Sequence, residues 1–588
     1  MNYISKLAKL IYPHKRFFII SVISTIAANI ASLFGPYIIR LSIDYVQSSR
    51  SLRMIGLYAL LLLLAAAVEG YFRFSTRYFG GRVAREIEYE IRNKLFRHLQ
   101  FQDRQFFQSW HTGDLMARAT NDLNAVQRSV SPGITNLFNT LAAFVSVVSV
   151  MLSISIVLTL YSVFILPLMS IIFIVSSRVI EKRFESVQSS FGDMSTKVQE
   201  NASGVRVIKA YAQEDNEIKD FERINRQYLD ASVSFIKIQS LLWPSMYVVA
   251  GIATVILLFI GGRQVIQGRI SIGELTQFLL YIGSLRWPMI SIGWVVNLIQ
   301  QGAASMNRIE QIISKLPSIR DEEAGLREIS SIGGEIEFRN VSLTIGSHKI
   351  LKNINLKVPA GSTLGIIGPT GSGKSMLVSL IPRLWDPTEG EILIDGINIT
   401  QIPLKVLRKN IGFVTQDTFL FSDTLKENIT FGTNNKDESL VRWAAEVSQL
   451  SKDVEQFPKG YETIVGERGV TLSGGQKQRT TIARAIARDP KILILDDALS
   501  SVDTNTESEI LKRLKTVMQQ RTSIIVAHRI SAIQNADQII VLSDGEIVEQ
   551  GKHSELLELD GLYASIYRRQ LIAEELGVDE ADSSVENT

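Results

Sequence analysis

A glycine-rich run at 368–375, GPTGSGKS, has the residue types and spacing for phosphate chemistry. It follows an apolar stretch at 362–368 that predicts a buried strand and precedes a segment at 376–384 that predicts a helix. This is G-x-x-x-x-G-K-S in its required context, where Lys374 reaches the β- and γ-phosphates of a nucleotide and the Ser375 hydroxyl binds Mg²⁺. A glycine-rich turn without a ligand is the alternative, which the complete motif disfavours. The predicted nucleotide-binding residues of this loop are Gly368, Pro369, Thr370, Gly371, Ser372, Gly373, Lys374 and Ser375.

Two more predicted strands end in residues that suit the same chemistry. The apolar run 491–495 ends at Asp496, and the run 523–527 ends at His528. A carboxylate at the tip of a buried strand beside a phosphate loop is suited to organise Mg²⁺. Strand ends of a parallel sheet face the ligand crevice, so we expect His528 to contact the γ-phosphate. The alternative is a histidine satisfied within the core.

Three further motifs resemble those of one family, the ATP-binding cassette (ABC) transporters of exporter type. The run LSGGQ at 472–476 resembles the signature that separates this family from other phosphate-loop NTPases. Gln416 matches the Q-loop, and Gly466-Glu467-Arg468 resembles an exporter-specific loop before the signature. The resemblance covers nearly the whole chain.

The resemblance implies a paired arrangement of nucleotide domains. In this family the signature of one domain faces the phosphate loop of another, so that two domains enclose two ATP molecules. The chain has one such domain and is therefore expected to pair with a second half-transporter. The residues implied are Ser473, Gly474, Gly475, Gln476, Ile345 and Asp503 for ATP, Ser375, Gln416 and Asp496 for Mg²⁺, and Asp497, His528 and Gln416 for catalysis.

Two positions depart from the family pattern. Asp497 stands where the family usually has a glutamate that polarises the attacking water, and its carboxylate is about 1 to 1.5 Å further from that task. Ile345 stands where an aromatic side chain that stacks on adenine is expected. Both changes weaken the site built on this chain's phosphate loop while its signature stays intact. This asymmetry favours one subunit of a heterodimeric exporter over a slowly hydrolysing homodimer.

The first half of the chain has the pattern of a membrane protein. Membrane helices need roughly 20 mostly apolar residues, and six such spans are predicted at about 17–46, 54–79, two within 132–180 with a break near 158–162, 241–260 and 275–298. Buried core helices of a soluble protein are the alternative, which six runs in 300 residues disfavour. The net charge of +3 gives no case for a nucleic-acid partner, and the absence of cysteine excludes disulfides and thiolate metal sites.

The distribution of Lys and Arg predicts the orientation. The segments 82–128 and 178–237 are rich in Lys and Arg and are therefore expected in the cytoplasm, as is the N-terminus, where residues 1–14 suit an amphipathic surface helix. Both long segments are predicted to be helical hairpins whose arms reach on the order of 30 Å from the membrane. By resemblance, residues 113–122 and 204–214 at their tips are coupling helices that dock on nucleotide domains.

Ionisable residues within spans are functional candidates. Arg40 with Asp44, and Glu69 with Arg73, are spaced four apart and are predicted to neutralise each other on one helix face. Arg286 has no obvious local partner and is a candidate to face a cargo cavity.

The sequence therefore predicts a multidomain protein: an all-α polytopic membrane domain at 1–315, a linker at 316–334, an α/β nucleotide-binding domain at 335–573 and an acidic, disordered tail at 574–588. The predicted function is ATP-driven, Mg²⁺-dependent export of hydrophobic or amphipathic drugs or lipids from the cytoplasmic membrane, with membrane lipids and a second subunit as partners. A homodimeric lipid flippase and an ATP-gated channel or regulator are the alternatives. An importer is disfavoured because the membrane and ATPase parts are fused in exporter order.

Overall fold

The computed structural model describes residues 3–48, 51–321, 326–327, 329 and 331–576. The chain forms two compact units, Met1–Phe101 with Trp110–Leu316 and Gln102–Ser109 with Pro317–Thr588. The predicted linker falls partly outside the described residues, and so does the predicted acidic tail from residue 577 onward.

The first unit is helical. In chain order, the α-helices as far as residue 313 are α1 (Tyr3–Ile11), α2 (Lys15–Ser48), α3 (Leu52–Gln100), α4 (Arg104–Ser109), α5 (Thr112–Ala117), α6 (Leu123–Arg128), α7 (Thr135–Ile154), α8 (Ile156–Ser203), α9 (Val205–Ala210), α10 (Glu214–Ile266) and α11 (Ile272–Ile313). Helix α4 belongs to the second unit, and the other helices belong to the first. A 3₁₀ turn covers Tyr12–His14, and π-helical turns cover Arg118–Asp122 and Ser129–Ile134.

Six of these helical stretches are long and apolar enough to cross a membrane, which confirms the predicted number of spans. The predicted break between the third and fourth spans was wrong. The chain breaks at Ser155, where the backbone is extended and the Ser155 hydroxyl accepts a hydrogen bond from the Leu158 N–H as an N-cap. A serine N-cap satisfies one of the free N–H groups of a helix start, and this single cap within an apolar run is not visible in composition.

The long helices explain why the two cytoplasmic segments carry helical periodicity. Helix α8 continues beyond its apolar part to Ser203, and α10 begins at Glu214, so both helices extend far past the membrane thickness. They pack side by side through pairs such as Phe184 with Phe235 and Phe191 with Tyr228. The predicted coupling segments coincide with the short helices α5 and α9.

Helix α1 is amphipathic, as predicted. Its apolar residues Leu7 and Ile11 are buried in a cluster that includes Ile87 and Ile309. On its polar side, Lys6 forms an ion pair with Glu310 of α11.

The second unit is an α/β domain. Its strands are β1 (Ile336–Ile345), β2 (His348–Val358), β3 (Thr363–Ile367), β4 (Glu389–Ile394), β5 (Ile397–Asn398), β6 (Ile411–Val414), β7 (Ile492–Asp496), β8 (Thr522–Val526), β9 (Gln538–Ser543) and β10 (Glu546–Gly551). Its helices, besides α4, are α12 (Lys374–Leu380), α13 (Leu404–Lys409), α14 (Leu425–Ile429), α15 (Glu438–Val447), α16 (Ser451–Val454), α17 (Gly474–Ala487), α18 (Thr504–Met518), α19 (His553–Glu558) and α20 (Leu562–Leu576).

A six-stranded sheet in the order β10-β9-β3-β8-β7-β6 carries the candidate site. All pairs from β9 to β6 are parallel, and β7 and β8 are buried over their whole length, as expected for a parallel sheet covered on both faces. A second, antiparallel sheet has the order β2-β1-β4-β5.

The register of the parallel strands places their carboxyl ends together. Ile366 pairs with Val526, and Asp496 pairs with Val526 on the other side. The phosphate loop, Asp496 and the residues after β8 therefore leave the sheet at one edge. The three strands that the sequence predicted here agree with β3, β7 and β8 to within one residue.

The helix predicted after the phosphate loop is shorter than expected. Helix α12 ends at Leu380 instead of residue 384. The chain turns because Leu384 N donates to Ser379 O and because Arg383 takes a left-handed conformation with a φ of 50°.

Candidate nucleotide-binding site

The phosphate loop is shaped by its glycines. A Cβ atom at Gly368 would overlap the carbonyl oxygen of Leu542 on β9, so only glycine fits this close approach. Gly373 has a φ of 99° at the N-cap of α12, a left-handed conformation that favours glycine. The loop consequently delivers its backbone N–H groups to the start of a helix, where an anion is stabilised.

Lys374 is the buried cation of this loop. It is 6% exposed, and its Nζ donates to Gly368 O at 2.7 Å and to Pro369 O at 2.9 Å. Burial lowers the pKa of Lys374, and the carboxylates of Asp497 and Asp496 partly oppose that effect. A phosphate oxygen would offer this ammonium group a charged partner in place of neutral carbonyls.

The hydroxyl groups of Ser372 and Ser375 in the loop fit a bound nucleotide with Mg²⁺. Ser372 Oγ is buried and has no hydrogen-bond partner among the described residues. Ser375 Oγ donates to Asp496 Oδ1 at 3.0 Å, which places a hydroxyl and a carboxylate side by side as oxygen ligands of the kind that Mg²⁺ prefers. Burial raises the pKa of Asp496, an effect that the Ser375 hydrogen bond partly offsets. Ser375 and Asp496 would hold Mg²⁺, which would supply positive charge to neutralise the phosphates of a nucleotide.

A cavity of about 230 Å³ joins these groups. Its walls bring the loop and Asp496 together with three further predicted residues, Gln416, Asp497 and His528. The complete lining is Ile350, Thr370, Gly371, Ser372, Gly373, Lys374, Ser375, Met376, Gln416, Asp496, Asp497, Val526 and His528. All five of the predicted catalytic or metal-binding residues thus line one cavity.

The signature residues do not line this cavity. Ser473 is the N-cap of α17, where its hydroxyl accepts from Gln476 N and the Gln476 side chain accepts from Ser473 N as a capping box. Gln476 Nε2 also donates to Asp453 at 3.0 Å, and Arg479 pairs with the same carboxylate at 2.7 Å. Together these contacts hold a helix N-terminus ready as a separate set of N–H donors.

Asp503 and Ile345 also lie outside the cavity lining. Asp503 is the N-cap of α18, and the hydrogen bond that its carboxylate accepts from Thr506 N lowers its pKa. Ile345 is half-buried at the end of β1, where it pairs with His348 across the hairpin turn.

Sequence reasoning missed the residues behind His528. A cavity of about 350 Å³ is lined by Asp497, Ser500, Glu507, His528 and Arg529, among others. Glu507 is 4% exposed and pairs with Arg529 at 2.9 Å. The only signal in the sequence was that Arg529 directly follows His528, and nothing there indicates its partner.

In the first unit, the predicted neutralising pairs are only part of the arrangement. Glu69 and Arg73 pair at 2.6 Å, as predicted. Arg40 lies 3.7 Å from Asp44 but 2.9 Å from Glu274 of α11. The Asp44 carboxylate also accepts from Ser271 Oγ at 3.0 Å and from Gly273 N at 3.1 Å, at the start of α11. The S-x-x-E pattern at 271–274 was the signal for that helix start.

A phosphate-loop domain joined to six membrane-spanning helices defines an ATP-dependent membrane transport protein. Residues 18–289 match the family described as ABC transporter transmembrane region, and residues 351–500 match the family described as ABC transporter. The chain belongs to the ABC transporter family and has the organisation of an exporter half-transporter in the cytoplasmic membrane. Its nucleotide-binding domain is that of an ATPase coupled to transport.

Several relatives are similar over almost their whole length. A probable multidrug resistance ABC transporter ATP-binding/permease protein, YheI of Bacillus subtilis, is 38% identical and covers 95% of this chain and 96% of its own. An ATP-dependent lipid A-core flippase of Syntrophus aciditrophicus is 34% identical, covering 98% and 96%. A solved bacterial Atm1-family ABC exporter with ATP bound has a TM-score of 0.80 and 26% identity, covering 94% of this chain and 99% of that one.

Proposed function

We propose that this chain is one half of a heterodimeric exporter that moves hydrophobic or amphipathic compounds across the cytoplasmic membrane. Its own phosphate loop contributes to an impaired ATP site, and its signature completes a competent site on a different subunit. The observation that carries the proposal is Asp497, because it stands at the position of the catalytic base.

The backbone at Asp497 supports this assignment. Its N–H donates to Val526 O at 3.0 Å, and its φ is 50°. The residue is therefore tied to β8, so the backbone is not free to advance and make up for the missing methylene. A displacement of about 1 Å between a base and its water costs on the order of 100-fold in rate.

The signature supports the second part of the proposal. Ser473 and Gln476 retain a complete capping box, and a Cβ atom at Gly475 would lie 3.0 Å from the carbonyl oxygen of Ser501, which is a tight contact. A preserved helix N-terminus beside a weakened catalytic site is the arrangement expected when the two features serve different ATP molecules. The partner subunit is then expected to supply the glutamate.

The cargo class rests on the relatives. Those named above are a probable multidrug resistance transporter and a lipid A-core flippase. From these names we infer an apolar or amphipathic cargo for this chain, which agrees with membrane helices that expose many large apolar side chains. A homodimeric flippase and an ATP-gated channel are the competing functions.

The decisive experiment reconstitutes the chain with a half-transporter that has glutamate after its Mg²⁺-binding aspartate. Replacing that glutamate by glutamine should abolish ATP hydrolysis and vesicle transport, whereas Asp497→Glu should raise turnover less than about threefold. Lys374→Ala should remove nucleotide from this chain's site, with the exposed Lys405→Ala as the matched control.

Three outcomes would contradict the proposal. Full transport by the chain alone, with strong acceleration by Asp497→Glu, would establish a homodimer. Passive conductance without vectorial transport would establish a channel. Unchanged nucleotide occupancy in Lys374→Ala would remove the site assignment itself.

A further inference from the structure

His528 lies beyond the support of the sheet. Among the described residues, the last hydrogen bond that ties the end of β8 to β3 is donated by Ala527 to Ile366 O, at 3.1 Å. The next residues leave the sheet and reach the 3₁₀ turn Ile530–Ala532, whose first residue is buried in the core. His528 itself is exposed. Its position must therefore come from contacts of its own backbone and of its neighbours.

One such contact is an amide bracket from the C-terminal helix. Gln570 of α20 donates through Nε2 to His528 O at 2.6 Å and accepts at Oε1 from Ile530 N at 2.9 Å. A side-chain amide that satisfies a carbonyl and an N–H two residues apart fixes the backbone between them. The bracket spans 42 and 40 positions in sequence and belongs to no regular element of the sheet.

The second contact holds the side chain of Arg529, the residue between those two backbone groups. Arg529 donates to the carboxylate of Glu507 at 2.9 Å, and the Glu507 side chain is 5% exposed. Glu507 lies in the first turn of α18, which Asp503 caps. A buried carboxylate strongly favours keeping its charged partner, because leaving it unpaired is costly.

We propose that Gln570 and Glu507 are positioning residues that together aim His528 at the γ-phosphate of ATP bound to this chain's phosphate loop. The inference rests on the proposed ATP-binding function and adds the C-terminal helix α20 and the helix after Ser500–Asp503 to the machinery of that site. It predicts that loss of the bracket weakens the binding of a nucleotide that has a γ-phosphate and leaves the binding of a nucleotide without one unchanged.

The test measures photolabelling of this chain by an azido-ATP analogue in the full-length transporter in detergent, with ATP or ADP as competitor. Gln570→Leu keeps the volume of the side chain and removes both hydrogen bonds. We expect ATP to compete about fivefold less well, the usual effect of about one net hydrogen bond, and ADP to compete as in the parent protein. Arg569→Leu, at an exposed neighbour on the same helix, is the matched control and should change neither value.

A double-mutant cycle with His528→Ala decides whether the effect passes through the histidine. If Gln570 acts by aiming His528, the double variant should bind ATP no more weakly than His528→Ala alone. Glu507→Gln, which keeps the shape of the side chain and removes its charge, should give the same pattern.

The opposing results are distinct. Equal losses for ATP and ADP, or additive losses in the double variant, would show a merely structural role and overturn the inference. Labelling that Lys374→Ala does not reduce would instead overturn the proposed ATP site, independently of the bracket.

Discussion

Asp496 occupies an environment that destabilises the charged form of its side chain. It is 4% exposed, and its negative charge faces the Asp497 charge within the same site. Burial is the larger cause of its raised pKa, and the Ser375 hydroxyl and Lys374 only partly compensate. A buried carboxylate of this kind is stabilised when a cation such as Mg²⁺ arrives, which agrees with the proposed Mg²⁺ and nucleotide site.

Asp496→Asn should therefore stabilise the nucleotide-free protein. Because the folded pKa lies above the unfolded value of about 3.9, the folded state retains the proton more strongly, and its stability falls as the pH rises through the folded pKa. The gain from the substitution should be present at pH 7 and should vanish below about pH 4. Thermal unfolding in detergent without nucleotide, followed at both pH values, measures it.

The same variant should lose Mg²⁺-dependent nucleotide binding, and this loss separates a functional carboxylate from a structural one. Ser375→Ala is the control, because it removes the neutral ligand without removing charge. A lower melting temperature for Asp496→Asn at pH 7 would contradict the electrostatic account.

At this scale, the sequence was informative where the chemistry is local. The phosphate loop, Asp496 and His528 were found because each follows directly on a strand pattern, and the parallel register then brings the strand ends together. Gln570 and Glu507 were not found, because their partners lie 42 and 22 positions away and a glutamine or a glutamate on a helix is ordinarily a surface residue.

At the scale of elements, apolar composition predicted the number of membrane helices but not their ends. The chain breaks at Ser155, three residues before the predicted interval, because a capping side chain and an extended backbone decide where a helix starts. Similarly, the start of α11 has a local capping pattern at 271–274, but the further contacts that Asp44 makes there come from a different helix. Long-range capping has no periodicity that a sequence pattern could show.

The contact between α2 and α11 gives a prediction for that helix start. Asp44→Ala removes a carboxylate that accepts from Ser271 Oγ and Gly273 N, and it leaves Arg40 with Glu274 alone. Loss of a charged helix cap is expected to cost about 1 to 2 kcal/mol. Thermal unfolding of the detergent-solubilised chain should show the lower stability.

Asp230→Ala is the matched control for this prediction, because Asp230 and its partner Arg226 lie on the part of α10 that extends past the membrane and their side chains are 68% and 73% exposed. An exposed ion pair contributes about 0 to 1 kcal/mol, so this substitution should have the smaller effect. Equal effects of the two substitutions would show that the capping contacts with α11 contribute nothing beyond an ordinary pair.

At the scale of the whole molecule, the structures of the two halves could be predicted from the sequence to different extents. The fold of the second half follows from alternating strands and helices and a motif that fixes the strand order around it. The membrane half is constrained by hydrophobicity alone, which specifies six spans. It does not determine which helix faces contact other helices, lipid or cargo. Its charged residues are therefore the most informative markers of function.

Arg286, in the predicted sixth span, makes no ion pair or hydrogen bond with the described residues, and its Nε is buried without a partner. It lies 14 residues into α11, about 21 Å from the helix start and within a hydrocarbon core about 30 Å thick. An intramembrane cation without a partner is costly, so a functional role is the first hypothesis.

If Arg286 faces the cargo path, Arg286→Gln should reduce vesicle transport of anionic amphiphiles several-fold and leave neutral ones nearly unchanged, because only the anionic cargo loses a charge partner. Arg286→Lys should retain most of the anionic transport. Arg263→Gln, at an exposed arginine near the end of α10, is the matched control and should affect neither cargo. A uniform loss for both cargo classes would instead assign Arg286 to packing of the helix bundle, since selectivity for charge is the one consequence that packing alone does not produce.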